Sequence, residues 1–241
     1  MMPAGALSNE LRADPARGGA TYGATRERLE TYFDSTAHQA WLDLTSDAPV
    51  SGVRATVRAG RDSMRAALLG WLGQDLRGMR LLDAGCGTGA LAIEAARRGA
   101  DVTAIDISGG LVSAARNRTP IDLTIDWRTG DFLDPALGRF DAVVAMDSLI
   151  HYRAPDIADA AAALLFRSSR VLFTVAPRTP LLSAMHLAGK LFPRRDRSPA
   201  IQPVAPSHLT RLLGDRGMPA PVAQHRVATT FYISHALMVR A

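Results

Sequence analysis

The ordered part of the chain begins with helical periodicity. From about residue 25 to 46, Leu29, Tyr32, Phe33, Trp41 and Leu42 fall at helical intervals, before Pro49 and Gly52 interrupt the run. A second helix is expected over about 53–73, where Val53, Val57, Met64, Leu68, Trp71 and Leu72 recur every three or four residues and make one face apolar. After residue 80 the period changes. The short apolar runs RLLDAG (80–85), DVTAID (101–106), LTIDWR (123–128), FDAVVAM (140–146) and RVLFTVA (170–176) read as buried strands. Helical stretches intervene: 90–98, closed by Gly99; one capped by Ser108 and running to about 118; and the alanine-rich 156–167. Such alternation implies a mainly parallel sheet with helices on both faces. The order then breaks into a helix-like piece with a Pro/Arg-rich loop (177–203) and a helix at about 206–214. Last come PVAQHRVATT and FYISHALMVR, an antiparallel pair completing a seven-stranded sheet. The expected organisation is a small, polar, Gly/Ala-rich disordered tail (1–24), an N-terminal helical arm (25–75), and an α/β core (76–241) carrying an insert (177–203).

Length and composition narrow the class. With 241 residues, 47% of them hydrophobic, the chain suits one domain with embellishments. No apolar run approaches the roughly 18 residues that span a bilayer. The N-terminal stretch lacks an apolar signal-peptide core, so a cytoplasmic location is expected. Cys86 is the single cysteine, which excludes an internal disulfide and a cysteine-rich metal site. The net charge is +5, but apart from Lys190 the basic residues are arginines spread along the chain, densest in PRRDR (193–197). That distribution argues against nucleic acid and admits an acidic ligand or an anionic lipid surface.

The strongest motif is LLDAGCGTGALAIEAA (81–96), in which Gly85, Gly87 and Gly89 follow a strand and open a helix. Glycines in such a turn let backbone approach a ligand closely. Gly85-x-Gly87-x-x-Ala90 also satisfies a loose dinucleotide fingerprint. Asp83 discriminates. A pyrophosphate at this helix N-terminus is anionic and would be repelled by a carboxylate two residues before the first glycine. S-adenosylmethionine instead presents an ammonium and a sulfonium, which a carboxylate favours. Asp106, 17 residues after Gly89, ends the second strand, where it can accept both ribose hydroxyls. Asp131, in GDFLD after the third strand, is placed to accept the adenine amino group. The candidate donor contacts are therefore Asp83, Gly85, Cys86, Gly87, Gly89, Asp106, Ile107, Gly130, Asp131 and Phe132, with Asp147 at the end of the fourth strand. This combination resembles the class I S-adenosylmethionine-dependent methyltransferases, and the resemblance implies their Rossmann-like fold.

The fourth strand runs directly into DSLIHY (147–152). In that fold this strand ends beside the methyl donor, so Asp147, Ser148 and His151 would line the junction of donor and acceptor. An imidazole titrates near neutrality and can donate, accept or carry charge there.

A narrower resemblance covers about residues 25–241. TYFDSTAHQAWLDLTSDAPVSGVRATVRAGRDSMRAALLGWL, LDAGCGTGALAIEAARRGA, GRFDAVVAMDSLIHY, FTVAPRTPLLSAMHLAGKLFPRRDRSPAIQPV and TTFYISHAL together are similar to the magnesium-protoporphyrin IX O-methyltransferases. The block after the fifth strand is the most telling, because generic methyltransferases lack it. The resemblance implies methyl transfer from S-adenosylmethionine to one propionate of magnesium protoporphyrin IX, leaving S-adenosylhomocysteine and the monomethyl ester of (bacterio)chlorophyll biosynthesis. It also implies a mobile arm over the pocket, a lid wall from the insert, and roles in activity for an arm tyrosine and the histidine of D-S-L-I-H-Y, here Tyr32 and His151. A magnesium chelatase subunit as partner and peripheral contact with an inner or photosynthetic membrane fit the same picture.

The chemistry is consistent. A propionate is ionised at neutral pH, with a pKa near the ~4.3 of glutamate. It needs no general base, so Ser148, His151 and Tyr32 are expected to orient it by hydrogen bonding. Phe33, Leu181, Leu182, Met185 and Phe192 could cover the macrocycle, and Arg178, Arg194 and Arg195 could pair with the second propionate. The magnesium belongs to the substrate, and no protein metal site is expected. Three alternatives stand beside this one. A quinone-type O- or C-methylase would share the three acids. A nucleic-acid methylase fits poorly, because Asp147-Ser148-Leu149-Ile150 stands where an N/D-P-P-Y/F turn belongs. A porphyrin carrier would not bind the methyl donor.

Overall fold

The computed structural model describes residues 19–36, Thr45, 52–178 and 201–241. The helices are α1 (Ala20–Thr31), α2 (Gly52–Leu72), α3 (Ala90–Arg97), α4 (Gly109–Arg118), α5 (Ala154–Phe166) and α6 (Pro206–Gly214). The strands are β1 (Arg80–Ala84), β2 (Asp101–Asp106), β3 (Asp126–Thr129), β4 (Ala142–Ala145), β5 (Arg170–Val175), β6 (Ala223–Ala228) and β7 (Ile233–Arg240). They form one seven-stranded sheet in the order β3-β2-β1-β4-β5-β7-β6. The contacts among β1 to β5 are parallel, and β7 runs antiparallel to both β5 and β6. The strands predicted from apolar runs are all present, and so is the antiparallel C-terminal pair.

Strand alternation sorts the core into two layers. Leu82, Val143, Val171 and Phe173 point to one face, where α5 and α6 supply Ile157, Leu164, Leu209 and Leu213. Leu81, Val144 and Leu172 point to the other, against Met64 and Leu68 of α2, Leu91 of α3 and Val112 of α4. The two N-terminal helices divide between these faces. Tyr22 and Leu29 of α1 join the first layer, and α2 joins the second.

One boundary differs from the sequence expectation. Helix α1 starts at Ala20, within the stretch read as tail. The cause is Tyr22, whose ring stacks on Tyr152 at 4.8 Å and meets Phe132 edge-on at 6.1 Å. A single buried aromatic docks a helix that local composition would leave loose. Helix α1 ends at Thr31 in a π-helical turn, Tyr32–Thr36. Trp41 and Leu42, expected to continue that helix, lie outside the described residues. So do the cover candidates Leu181, Leu182, Met185 and Phe192.

Candidate active site

The chain order reverses between β1 and β4, and open α/β sheets bind ligands beyond the strand ends at such a point. A cavity of about 590 Å³ lies there. Its floor is the β1–α3 turn. Gly85 has φ +82°, and a Cβ on it would stand 2.3 Å from the Ser148 Cβ. The turn and the DSLIHY segment are thus in contact, and only glycine permits it. Gly87 donates its N–H to Asp106 Oδ2 at 2.8 Å, and Ser108 donates its own to Oδ1 at 3.0 Å. Each carboxylate oxygen keeps a lone pair for a ligand hydroxyl. Ser108 caps α4 as its sequence position predicts, accepting from the Leu111 N–H.

Asp83 is 2% exposed, and its Oδ2 has no hydrogen-bond partner among the described residues. Burial, then the neighbouring Asp106, pushes its carboxyl up to about 7 against one opposing backbone contact from Ala92. Burial likewise raises Asp106. A buried carboxylate with one oxygen unsatisfied is costly unless a cation completes it. The ammonium of S-adenosylmethionine would supply that cation, whereas a pyrophosphate would compound the repulsion. The residues present therefore fit this donor.

Asp147, at the far side of the floor, has φ +56°, the one positive φ outside glycine among the described residues. Several contacts hold it in this sparsely populated region. Its N–H donates to Thr174 Oγ1 at 2.7 Å, and that hydroxyl donates back to Oδ1 at 3.1 Å. Arg61 donates to Oδ2 at 2.7 Å, and the Tyr232 hydroxyl reaches both oxygens at 3.0 and 3.2 Å. Asp147 thus ties α2, β5 and the β6–β7 connection together. Helix α2 can ride this close because residue 60 is glycine: a Cβ there would stand 2.5 Å from the Tyr232 ring.

The π-helical turn forms the roof. Asp34 accepts from Ser108 Oγ at 2.5 Å and from the Gly110 N–H at 3.4 Å. This contact pins the turn to the start of α4 and brings Tyr32 and Phe33 over the cavity. Phe33 meets Tyr32 at 5.3 Å and His151 at 6.2 Å, edge-on in both cases. His151 sits on a 3-10 turn, Leu149–His151, beside Ser148, whose buried Oγ has no partner among the described residues.

Of the candidate donor contacts, Asp83, Gly85, Cys86, Gly87, Asp106, Ile107, Phe132 and Asp147 line the cavity. Gly89, Gly130 and Asp131 do not. Gly89 lies under Trp127, 2.4 Å from where its Cβ would be, and serves helix–sheet packing. Gly130 hydrogen-bonds the Asp106 carbonyl. Asp131 is engaged elsewhere. It accepts from the Tyr22 hydroxyl at 2.8 Å, from Arg26 at 3.0 Å and from the Leu133 N–H at 2.9 Å. It therefore anchors α1. Of the acceptor candidates, Tyr32, Ser148 and His151 line the cavity. Arg178 is exposed outside it, because its backbone pairs with Val204 and the adjacent Pro177 takes the buried side. Arg194 and Arg195 lie outside the described residues. The segment after them returns to the site: Gln202 donates to the Ile150 carbonyl at 2.8 Å, and Ile201 lines the cavity.

Sequence reasoning missed a further set of cavity residues, Arg54, Arg58, Arg61 and Arg65 of α2. Their spacing of four, three and four was the available signal, since it puts all of them on one helical face.

Comparison with known proteins assigns the family. The chain is 52% identical over 223 residues to the magnesium-protoporphyrin O-methyltransferase of Rhodobacter capsulatus, spanning 91% of this chain and 98% of that protein. This chain belongs to the magnesium-protoporphyrin O-methyltransferase family. Residues 145–241 match the model of the magnesium-protoporphyrin IX methyltransferase C-terminus, and 81–170 a general methyltransferase domain. The crystal structure of magnesium protoporphyrin IX methyltransferase from Synechocystis PCC 6803 with bound SAH superposes with a TM-score of 0.78 at 28% identity, covering 90% of this chain and all of that one. A ubiquinone biosynthesis O-methyltransferase of Xanthomonas oryzae is more distant, 34% identical over 172 residues and covering 67% of this chain and 68% of that one. The class I methyltransferase fold expected for this family is the fold observed. Among the described residues no helix is long and apolar enough to cross a membrane.

Proposed function

We infer that this chain transfers the methyl group of S-adenosylmethionine to a propionate carboxylate of magnesium protoporphyrin IX, giving the monomethyl ester. The observation that carries the reading is the buried Asp83 carboxylate, whose Oδ2 has no partner among the described residues, at a glycine turn in a chain that follows a family member over nearly its whole length. When bound, S-adenosylmethionine supplies an electrophilic methyl carbon, which the carboxylate oxygen attacks as the carbon–sulfur bond breaks toward S-adenosylhomocysteine. This chain's residues position the partners. Asp83 holds the donor ammonium. Asp106 would accept from the ribose hydroxyls, and Phe132 and Ile107, which line the same cavity, would hold the adenosine by apolar contact. Ser148, His151 and Tyr32 donate hydrogen bonds that aim the acceptor oxygen. The carboxylate is already ionised, so alignment and water exclusion are the main catalytic task, and positioning of this kind contributes about 7–11 kcal/mol.

The test is incubation with radiolabelled S-adenosylmethionine and magnesium protoporphyrin IX, followed by organic extraction. Label in an extractable porphyrin ester is the expected result. Its absence with donor binding intact would point to another acceptor, and its absence without donor binding to a porphyrin carrier. The reading extends to peripheral contact with anionic membranes and to receipt of the porphyrin from a magnesium chelatase subunit. The net charge of +5 and the flat apolar substrate support the membrane contact. Co-sedimentation with vesicles rich in anionic lipid should fall as salt is raised, and a salt-independent result would remove the membrane contact.

A further inference from the structure

The acceptor end of the cavity takes Tyr32 and Phe33 from a turn, not from the sheet. Both sit on the π-helical turn Tyr32–Thr36, a short irregular element of a kind that recurs at functional sites. Hydrogen bonds from Thr21, Tyr22 and Arg26 tie the first half of α1 to Asp156 and Asp131. Arg26 lies roughly 9 Å along the axis before Tyr32. Nearer the turn Leu29 is buried, but apolar burial is not directional. The ring contact shown for Tyr32 is with Phe33 on the same turn, so it does not fix that turn to the core.

Asp34 supplies a directional contact. Its Oδ1 accepts from Ser108 Oγ at 2.5 Å and from the Gly110 N–H at 3.4 Å. Ser108 is fully buried, and its other groups are engaged: its N–H donates to Asp106 Oδ1, and its Oγ accepts from the Leu111 N–H. The hydroxyl proton is therefore directed at Asp34. A hydroxyl-to-carboxylate bond of that length is charge-assisted and belongs to the strong class. The start of α4 adds attraction, since its free N–H groups and its dipole favour an anion. Asp34 itself is exposed and is not among the residues lining the cavity.

We propose that Asp34 is a positioning residue for methyl transfer: through Ser108 it fixes the turn so that Tyr32 stands over the acceptor oxygen. The proposal rests on the role given to Tyr32 above. Ser108 belongs to the loop after β2, and the same loop carries Asp106 on the donor floor. The residue that aims the acceptor is thereby registered against the donor's own loop, which is the alignment that in-line attack requires. A shift of about 1 Å at Tyr32 would cost on the order of 100-fold in rate, with no contact to either reactant deleted.

The experiment measures ester formation by the wild-type chain, Asp34→Ala, Asp34→Asn, Tyr32→Phe and the Asp34→Ala, Tyr32→Phe double variant. Tm and the affinity for S-adenosylhomocysteine, read by calorimetry, control for folding. Ser108→Ala is avoided because it also removes the cap of α4. Asp34→Ala should lower kcat/KM for magnesium protoporphyrin IX roughly 10- to 100-fold while S-adenosylhomocysteine affinity holds. Asparagine keeps an oxygen that accepts from Ser108, so Asp34→Asn should recover most of that loss. In the Tyr32→Phe background Asp34→Ala should cost little more, because a residue that acts through another is not additive with it. A wild-type rate in Asp34→Ala would overturn the proposal. So would a full further loss in the Tyr32→Phe background, or an equal fall in S-adenosylhomocysteine affinity, since either marks a merely structural role. A loss that asparagine does not recover would overturn the hydrogen-bond account. The underlying reading fails separately: Tyr32→Phe at the wild-type rate would remove the role of Tyr32, and a wild-type chain that forms no ester would remove the acceptor assignment, each taking the proposal with it.

Discussion

The floor and the α2 wall of the cavity hold opposite charges in opposite ways. On the floor, Asp83 and Asp106 are short side chains at strand ends, buried and fixed by backbone. On the wall, arginines with long flexible stems project from a helix, partly exposed, with Arg61 paired to Asp147 and Arg65 to Asp62. Burial is expensive for an ion, so the floor acids are raised in pKa and call for a cation. The wall arginines retain solvent and can adjust to a large anion. One half of the site is therefore built for a small ligand of defined shape, and the other for one edge of a broad acceptor.

The sharpest way to break the floor is Gly85→Ala. The added Cβ meets Ser148 at 2.3 Å, in a backbone conformation of φ +82°. A displacement of about 1 Å at the reacting centre costs on the order of 100-fold in rate. Methyl transfer should fall by at least that much, with stability lowered by about 2 kcal/mol. A wild-type rate in this variant would show that the turn and DSLIHY do not touch.

Asp83→Asn tests the charge of the floor. Donor affinity should fall roughly 10- to 100-fold at pH 8, as one charge-assisted contact is lost. The pH dependence carries its own sign. In the folded chain the Asp83 carboxyl is raised from 3.8 to about 7, so the folded state holds a proton that the unfolded state has released. Without donor, Asp83 therefore makes the protein less stable as pH rises from 3.8 to about 7. The cationic donor needs the ionised form, so its affinity should improve as pH rises through that value and level off above it. Titration calorimetry between acidic and mildly alkaline pH reads the slope. If Asp83→Asn keeps the wild-type slope, another group is responsible.

The smallest effect is expected at the join between the two regions. Tyr232→Phe removes one donor from Asp147 and should cost about 1 kcal/mol, lowering Tm by roughly 2–4 °C. Because Asp147 also fixes Arg61, the acceptor KM should rise a few-fold while donor affinity holds. Equal losses in both would mean that floor and wall are not separable through Asp147.

Legibility in the sequence follows the range of the forces. The strands, the Ser108 cap and the glycine turn were readable because period and turn chemistry act within a few residues. The convergence of Asp83, Asp106 and DSLIHY on one cavity was readable because strand ends in an alternating α/β chain meet at one edge of the sheet. Asp131 lies at the expected edge of the sheet, and the structure adds contacts to it from α1. Its partners Tyr22 and Arg26 are more than a hundred residues away, so local spacing carries no sign of them. The early start of α1 was hidden for the same reason, since it depends on Tyr22 finding Tyr152.

By itself, then, the order of residues determined an alternating sheet, a turn that accepts a cationic donor, and an acidic and hydroxyl-bearing segment facing it. Only the tertiary structure decided which arginines line the cavity. Periodicity places Arg54, Arg58, Arg61 and Arg65 on one helical face, but it does not say where that face points. Asp147, Tyr232 and Gly60 settle that, through contacts that exist only once α2 lies across the end of the sheet.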